Sequence, residues 1–271
     1  MVNITKLIEN NFCLSNLRIE RDKNGWKLRI SNASFCNYIS WRYNLDIGKK
    51  CRTVRIPEVI FQLSSEHKHS FLAGYLEGDG CFSHYWRTNK RRKYKVPRIF
   101  ITSSSLGILK DLQKLLQSIK ISSRITLDKP TPKINILKAS DCSKVAFYIY
   151  PYLVHPERKE KLINIFQDYE ILNAIRIRNC KDLLNGLRIS LDLKRKDLPK
   201  YLMNNLNYKA AESTIVGWLN EIYRPPLSIV LHACKVLNKD YFDYIPKEYA
   251  YLLYALDLIS CDTLDDFRQS V

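Results

Sequence analysis

Residues 72–80 read LAGYLEGDG, and this segment constrains the fold more than any other stretch of the chain. On a helix it forms an apolar stripe beside a row of small residues, Ala73, Gly74 and Gly78. A glycine inside a helix costs about 1 kcal/mol relative to alanine, so this row predicts close packing against a second helix backbone. Asp79 ends the helix, and Gly80 follows in a position that favours a left-handed conformation. Because a carboxylate there opposes the helix dipole, we expect Asp79 to bind a cation.

An offset of 106 residues aligns the chain with itself. The matched pairs are Arg18 with Arg124, Ile19 with Ile125, Asp22 with Asp128, Lys23 with Lys129, Ala33 with Ala139, Ser34 with Ser140 and Cys36 with Cys142. Their constant spacing indicates a duplication, in which the first copy lacks the acidic helix and the hairpin that follows it. Chance matches between two Lys- and Ser-rich segments are the alternative interpretation.

Local patterns predict the elements around this repeat. Asn-Gly at residues 24–25 predicts a hairpin over 16–32, followed by a helix over 33–44. A helical run should extend from Glu58 into the acidic segment. Residues 81–103 predict a long hairpin with a basic tip, and 106–119 an amphipathic helix. The pattern from 163 to 176 predicts continuous helix.

The chain is strongly basic, with 44 Lys and Arg against 27 Asp and Glu and a formal charge of +17. Such a charge favours a polyanionic partner, with nucleic acid first, although solubility alone could also explain it. The eight cysteines include no CxxC pair, which disfavours structural zinc. The sequence contains neither a secretory signal nor an apolar run near 18 residues, so we expect no membrane association and a cytoplasmic, nucleoid-associated protein.

The segment LAGYLEGDG, together with ITSSSLGILKDLQKLL, ISSRI and RIPEVIF, resembles the LAGLIDADG family of homing endonucleases over about residues 16–167. The resemblance implies an αββαββα unit whose sheet enters the DNA major groove and whose motif helix pairs with a second one. It also implies that Asp79 binds Mg²⁺ or Mn²⁺, and that Ser104 and Lys159 are further catalytic residues. Tyr75 and Glu77 depart from the family motif, and Glu77 could be structural or could support the metal site.

The basic hairpin and its neighbours are the expected DNA-binding surface, because a two-stranded ribbon fits the major groove. Strand alternation should direct about half of the hairpin side chains to DNA. A solvated charged hairpin is the alternative. The residues expected to contact DNA are Ser83, His84, Arg87, Lys90, Arg91, Arg92, Lys93, Lys95, Arg98, Arg124, Lys129 and Lys133.

Four short helices are predicted after the sheet, over residues 183–191, 195–202, 211–220 and 227–237. The stretch ESTIVGWLNEIYRPPLSIVLHACKVL resembles the helix-turn-helix of phage repressors. That resemblance implies groove contacts from Ser213, Thr214, Val216, Gly217 and Asn220, and phosphate contacts from Tyr223 and Arg224. A helical bundle used for packing or protein contact is the alternative.

These observations predict an α+β protein with three parts. They are a partial LAGLIDADG-type repeat over 1–66, a complete αββαββα repeat over 67–170, and an all-α helix-turn-helix domain over 171–271. The expected function is site-specific, metal-dependent cleavage of double-stranded DNA. The second motif helix would come from homodimerisation or from a separately encoded first half. An inactive DNA-binding regulator or splicing cofactor is the alternative, and a self-splicing intein is not expected.

Overall fold

The computed structural model describes residues 2–12, 14, 17–22, 25–45, 48, 52–89, 92–127, 131–167, 172–173, 175–260 and 262–263. Of the predicted DNA-binding residues, Lys90, Arg91 and Lys129 lie outside these ranges, while Arg92 and Lys93 lie in a described strand.

The part of the chain before residue 67, which we call the first repeat after the predicted duplication, has the predicted hairpin and helix. Helix α1 (Val2–Phe12) precedes strands β1 (Leu17–Asp22) and β2 (Gly25–Ile30), which pair antiparallel, and helix α2 (Ala33–Tyr43) follows. The Asn32 side chain caps α2 by accepting the Phe35 N–H, and Asn44 ends it in a left-handed conformation with φ 48°. No residue of α2 is buried. This repeat therefore has local structure without a core beneath its helix.

The second repeat is a complete αββαββα unit, which confirms the predicted fold class. Its seven elements are α4 (Ser65–Asp79), β3 (Gly80–Asn89), β4 (Arg92–Thr102), α5 (Leu106–Ser118), β5 (Arg124–Thr126), β6 (Lys133–Ile136) and α6 (Ala139–Ile149). The short helix α3 (Glu58–Gln62) precedes the unit, and helix α7 (Pro156–Asn164) follows it. The four strands form an antiparallel sheet in the order β3-β4-β6-β5.

One side of this sheet packs on helices and forms the core. Leu72 and Leu76 of α4 and Ile99 of β4 are fully buried there. The predicted continuous run from Glu58 is wrong, because Leu63 is extended and the chain re-enters a helix only after Ser64. The Ser64 side chain accepts the His67 N–H and so starts α4 as a separate helix.

The region after the sheet is all-helical among its described residues. Its helices are α8 (Lys181–Ser190), α9 (Leu198–Leu206), α10 (Glu212–Leu219), α11 (Leu227–Val236) and α12 (Ala250–Ala255). The helix predicted over 195–202 is displaced, because Pro199 lies in the first turn of α9, a position that proline favours. No helix in the described ranges is long and apolar enough to cross a membrane.

The predicted helix through residue 176 is wrong, because α7 ends at Asn164 and the backbone near Arg176 pairs with a distant segment. Leu227 donates its N–H to the Ile175 carbonyl at 2.9 Å, and Ile177 donates to Pro225 at 3.0 Å. Arg176 forms an isolated antiparallel bridge with Pro226. These bonds hold the beginning of the C-terminal region to the start of α11.

Helix α12 packs back onto the second repeat. Tyr251 is fully buried, with its ring centroid 5.0 Å from that of Tyr150 and 5.9 Å from that of Phe166. Just before α12, the Glu248 carbonyl accepts the Ser143 hydroxyl of α6 at 3.0 Å. The C-terminal region is thus attached to the helix layer of the sheet by buried aromatic contacts.

Candidate functional site

The acidic end of α4 meets the first strand of the sheet without a loop. Asp79 is the last helical residue and its side chain is exposed, and β3 begins at Gly80. Gly80 is extended, with φ −79° and ψ 153°, so the predicted left-handed conformation is wrong. Glycine is required at this position for a different reason, because a Cβ there would lie 2.4 Å from the Leu76 carbonyl oxygen. The close approach of the Gly80 backbone to the Leu76 backbone therefore places Asp79 at the edge of the sheet.

We expect Gly80→Ala to lower the free energy of unfolding by about 1–3 kcal/mol, because the added methyl must displace the end of α4. Urea denaturation measures the change. Gly78→Ala is the matched control, because its Cβ would meet no other described atom within 4 Å. Equal stability of the Gly80→Ala protein and the wild type would show that the helix end tolerates the methyl group.

Hydrogen bonds of two side chains join this helix end to α7 and to the segment just before it. The Arg158 guanidinium donates to the Gly80 carbonyl at 2.9 Å and to the Gly78 carbonyl at 3.4 Å. The Glu77 carboxylate accepts the backbone N–H groups of Val154 and His155, just before α7. Of the two alternatives for Glu77, these bonds favour the structural one.

The basic residue that contacts the motif helix is Arg158, and sequence reasoning chose its neighbour Lys159. The Lys159 ammonium lies 5.0 Å from the centroid of the Tyr150 ring. The signal was present in HPERKEK, where several adjacent basic residues occur, but the sequence does not specify which of them faces α4.

Tyr75 and the serines after β4 surround the same helix end. Burial raises the pKa of the Tyr75 hydroxyl, as does the Asp79 carboxylate, and a hydrogen bond with Ser103 opposes both. Gly80 pairs with Ile101, so Ser103 and the exposed Ser104 leave the sheet beside Asp79. The predicted residue Ser104 is therefore at the same end of the sheet as the carboxylate.

The row of small residues on α4 is divided between the core and the surface. Gly74 and Gly78 are exposed, and a Cβ on either would meet no other described atom within 4 Å. Ala73 is fully buried within the core of this chain, so its assignment to the helix-packing face is wrong. The two glycines stand one turn apart and leave a smooth strip on the outer side of α4.

Strand register assigns the predicted basic residues to the two faces of the sheet. Ser83 lies opposite Arg98, Phe100 opposite Asn135, and Arg124 also opposite Asn135. Side chains alternate along a strand, so these residues share the face remote from Phe82 and Ile99. We call this the open face. Its predicted DNA-binding members with described side chains are Ser83, Arg87, Arg98, Arg124 and Lys133.

Hydrogen bonds and stacking order the centre of the open face. Arg98 Nε donates to Asn135 Oδ1 at 3.0 Å, and Asn135 Nδ2 donates to Thr126 Oγ1 at 3.0 Å. The Arg98 guanidinium also stacks over the Phe100 ring at 4.4 Å. Arg98 is thus partly engaged within the sheet, whereas Arg87 and Arg124 are exposed.

His84 and Lys95 lie on the helix-covered face of the sheet, so the prediction that they contact DNA from the open face is wrong. His84 Nε2 is 3.1 Å from the Ile165 carbonyl oxygen, just beyond α7. Lys95 is paired with Trp86 across the strands, and its ammonium lies 5.6 Å from the centroid of that ring. His84 is two residues from the buried Phe82, and Lys95 is four residues from the buried Ile99. Because side chains alternate along a strand, both lie on the helix side of the sheet.

In the C-terminal region, most of the residues predicted to contact DNA are exposed. Ser213, Asn220 and Arg224 are exposed and Thr214 is partly buried. Gly217 was expected in the groove, but it is buried, and a Cβ there would lie 2.2 Å from the Tyr223 ring. Tyr223 therefore packs on α10 through one edge while remaining 58% exposed.

The acidic helix end fits a divalent cation that is shared with other ligands. The described residues contain no group of three or more His, Cys, Asp or Glu side chains able to hold a metal. Asp79 by itself supplies one exposed carboxylate. Mg²⁺ is commonly held by one or two carboxylates together with waters and substrate phosphates. The single acid is therefore compatible with a metal site completed by nucleic acid and a second motif helix.

Comparison with protein families gives one match, which lies within the sheet-containing unit. Residues 66–149 match the family described as LAGLIDADG-like domain. Comparison with curated protein sequences finds no match.

Solved structures also match the chain, with low similarity, and two of them illustrate this. A structure of the homing endonuclease I-CvuI in complex with the I-CreI target is 15% identical, with a TM-score of 0.33, covering 57% of this chain and 94% of that one. The I-SmaMI LAGLIDADG homing endonuclease bound to cleaved DNA is 13% identical, with a TM-score of 0.40, covering 81% and 82%. At TM-scores this low, the two likenesses add nothing to the family match.

Proposed function

Because residues 66–149 match the family described as LAGLIDADG-like domain, we propose that this protein is a site-specific, divalent-metal-dependent endonuclease of double-stranded DNA. The main support for this function is the position of Asp79. It is an exposed carboxylate at the end of α4, at the edge of a sheet whose open face is basic. Its place of action is wherever the cell keeps its DNA.

The open face would bind the major groove. Arg87 and Arg124 are exposed on it, so their guanidinium groups can reach base edges or phosphates. Arg98 is held by Asn135 and Phe100, which fixes its direction before DNA arrives. In the C-terminal region, Ser213 and Asn220 of the α10 segment would enter a neighbouring groove, with Arg224 on the backbone.

At the cleavage centre, Asp79 would hold the metal and Arg158 would hold the helix end that carries it. A bound Mg²⁺ or Mn²⁺ would neutralise charge on the scissile phosphate and lower the pKa of a water. Arg158 donates hydrogen bonds to the carbonyl groups of Gly78 and Gly80, on either side of Asp79, at a helix C-terminus where a cation is favourable. Ser104, at the same sheet end, would contact the DNA backbone.

Cleavage of both strands requires a second acidic helix, and two surfaces support a partner that supplies one. The exposed glycine strip of α4 can accept another helix backbone at close range. The second surface is the first repeat, where Trp41 is 79% exposed, whereas Phe147, its equivalent 106 residues later, is 4% exposed. In the second repeat α4 and β4 pack on α6, the helix that contains Phe147. A second copy of the chain or a separately encoded half would complete the site.

A second candidate function is an inactive DNA-binding regulator or splicing cofactor. The observation that favours it is that Asp79 is a single exposed carboxylate, with no group of three metal-binding side chains among the described residues. Such a protein would keep the basic open face and would not cleave.

One experiment separates these functions. The wild-type protein selects sequences from a randomised duplex library with Ca²⁺ present, and Mg²⁺ is then added to the selected duplexes. We expect enrichment of one sequence and cleavage of both strands at one position, measured by end-labelled gels. Enrichment without cleavage would favour the second candidate. Failure to enrich any sequence would refute both.

A further inference from the structure

A basic cavity lies where the sheet meets the C-terminal region. Its volume is about 360 Å³, and its lining includes Arg87 of β3, Arg176 before α8, Arg224 after α10, and Tyr249. Lys138 also lines it, but its ammonium lies 3.2 Å from Ser122 Oγ and 4.0 Å from the Asp141 carboxylate. No carboxylate is among the described residues of this lining. The cavity therefore has a net positive charge contributed by both parts of the chain.

A second cavity continues the first along the C-terminal region. It has a volume of about 530 Å³ and shares Arg176, Arg224 and Tyr249 with the first. It adds Arg178 and Lys247, and Asp243 is the one carboxylate among its described lining residues. We call the combined surface the junction strip, and its basic members are Arg87, Arg176, Arg178, Arg224 and Lys247.

The backbone fixes the two sides of the junction strip relative to each other. Arg176 is bridged to Pro226, two residues after Arg224, so these two guanidinium groups are carried by paired segments. Tyr251 of α12, which follows Tyr249 closely, is fully buried against Tyr150 and Phe166 beside the sheet. Arg87 thus faces a C-terminal region that is already packed in place.

We propose that the junction strip binds the phosphate backbone of the same duplex that lies on the open face, and so carries it from the sheet to α10. The basic side chains of the strip are spread over two adjoining cavities, an arrangement that suits successive phosphates of a backbone better than a single small anion. Arginines suit this task because their planar donor groups bind phosphate oxygens in pairs. The inference rests on the proposed function, and it adds Arg176 and Arg178 to the residues that hold DNA.

The test compares charge-neutralised variants on the duplex that the wild type selects. We expect Arg176→Gln/Arg178→Gln to raise the Kd roughly 10- to 100-fold at about 0.1 M salt, and to reduce the slope of log K against log salt by about 2. Hydroxyl-radical footprinting should show lost protection on one flank, with protection over the sheet-bound segment retained.

The matched control is Lys110→Gln/Lys114→Gln, which removes two exposed charges from α5 on the helix side. A junction double variant with the salt slope and footprint of this control would overturn the inference. In that case, a loss of DNA affinity in the Arg124→Gln/Lys133→Gln variant would still support DNA binding by the open face. If the wild type itself binds no DNA, the proposed function fails and the inference with it. Thermal unfolding of each variant confirms that its fold is intact.

Discussion

Replacing Asp79 with asparagine is expected to reduce the rate of DNA cleavage at least about 10³-fold, because loss of metal charge stabilisation costs several kcal/mol in the transition state. DNA affinity should remain close to that of the wild type, because Asp79 lies at the sheet edge and the basic residues lie along the open face. Single-turnover cleavage and a binding titration in Ca²⁺ measure the two quantities separately.

Glu77→Gln is the matched control, since it removes another carboxylate from the same helix two residues away. Glu77 accepts backbone N–H groups of Val154 and His155, and a glutamine oxygen can still accept one of them. We expect this variant to keep most of its cleavage rate. An Asp79→Asn protein that cleaves at the wild-type rate with Mg²⁺ present would refute the proposed role of Asp79.

Local sequence patterns were sufficient for the N-terminal hairpin and for most of the sheet-containing unit. Alternation with Asn-Gly gave the β1-β2 hairpin, helical spacing gave α5, and the motif gave α4 with Asp79 at its end. These features depend on neighbours within about ten residues, where turn chemistry and periodicity act directly. The Ser64 cap was also a local signal, but the helical pattern on its two sides was interpreted as one continuous helix, which obscured the break between α3 and α4.

Errors arose where a residue's role depends on which side of an element it occupies. In the sequence, His84 and Lys95 resemble the other members of a uniformly basic hairpin. Their face is identified by Phe82 and Ile99, two buried residues that lie opposite each other on the same side of the sheet. Arg158 and Lys159 are adjacent, so a one-residue difference in helix rotation exchanges their contacts. Gly80 was read as a left-handed cap because the close approach to Leu76 is a three-dimensional property.

The junction between the two regions could not be predicted at all from local patterns. Residues 163–176 had helical spacing, yet Ile175 and Ile177 bond to the segment around Pro225, about fifty residues later. The packing of Tyr251 against Tyr150 spans about a hundred residues. Such contacts come from backbone pairing and from burial of aromatic side chains between distant segments, and together they override weak helix propensity.

The exposed glycine strip of α4 leads to a prediction in which stability and activity change in opposite directions. Gly74→Ala/Gly78→Ala should raise the free energy of unfolding of the isolated chain by up to about 2 kcal/mol, because alanine is the better helix former by about 1 kcal/mol per site. Neither added Cβ would meet another described atom within 4 Å. Between two touching helices, however, each extra methyl costs about 1–3 kcal/mol through overpacking.

We therefore expect the stabilised double variant to lose roughly 10- to 100-fold or more of its double-strand cleavage, because the second acidic helix can no longer approach. Urea denaturation measures the first effect and the cleavage assay the second. Asn204→Ala, at an exposed position of α9, is the control for helix stabilisation remote from α4. A double variant that is more stable and cleaves both strands at the wild-type rate would show that no helix packs on this strip. In that case the second carboxylate would have to reach the DNA from another direction.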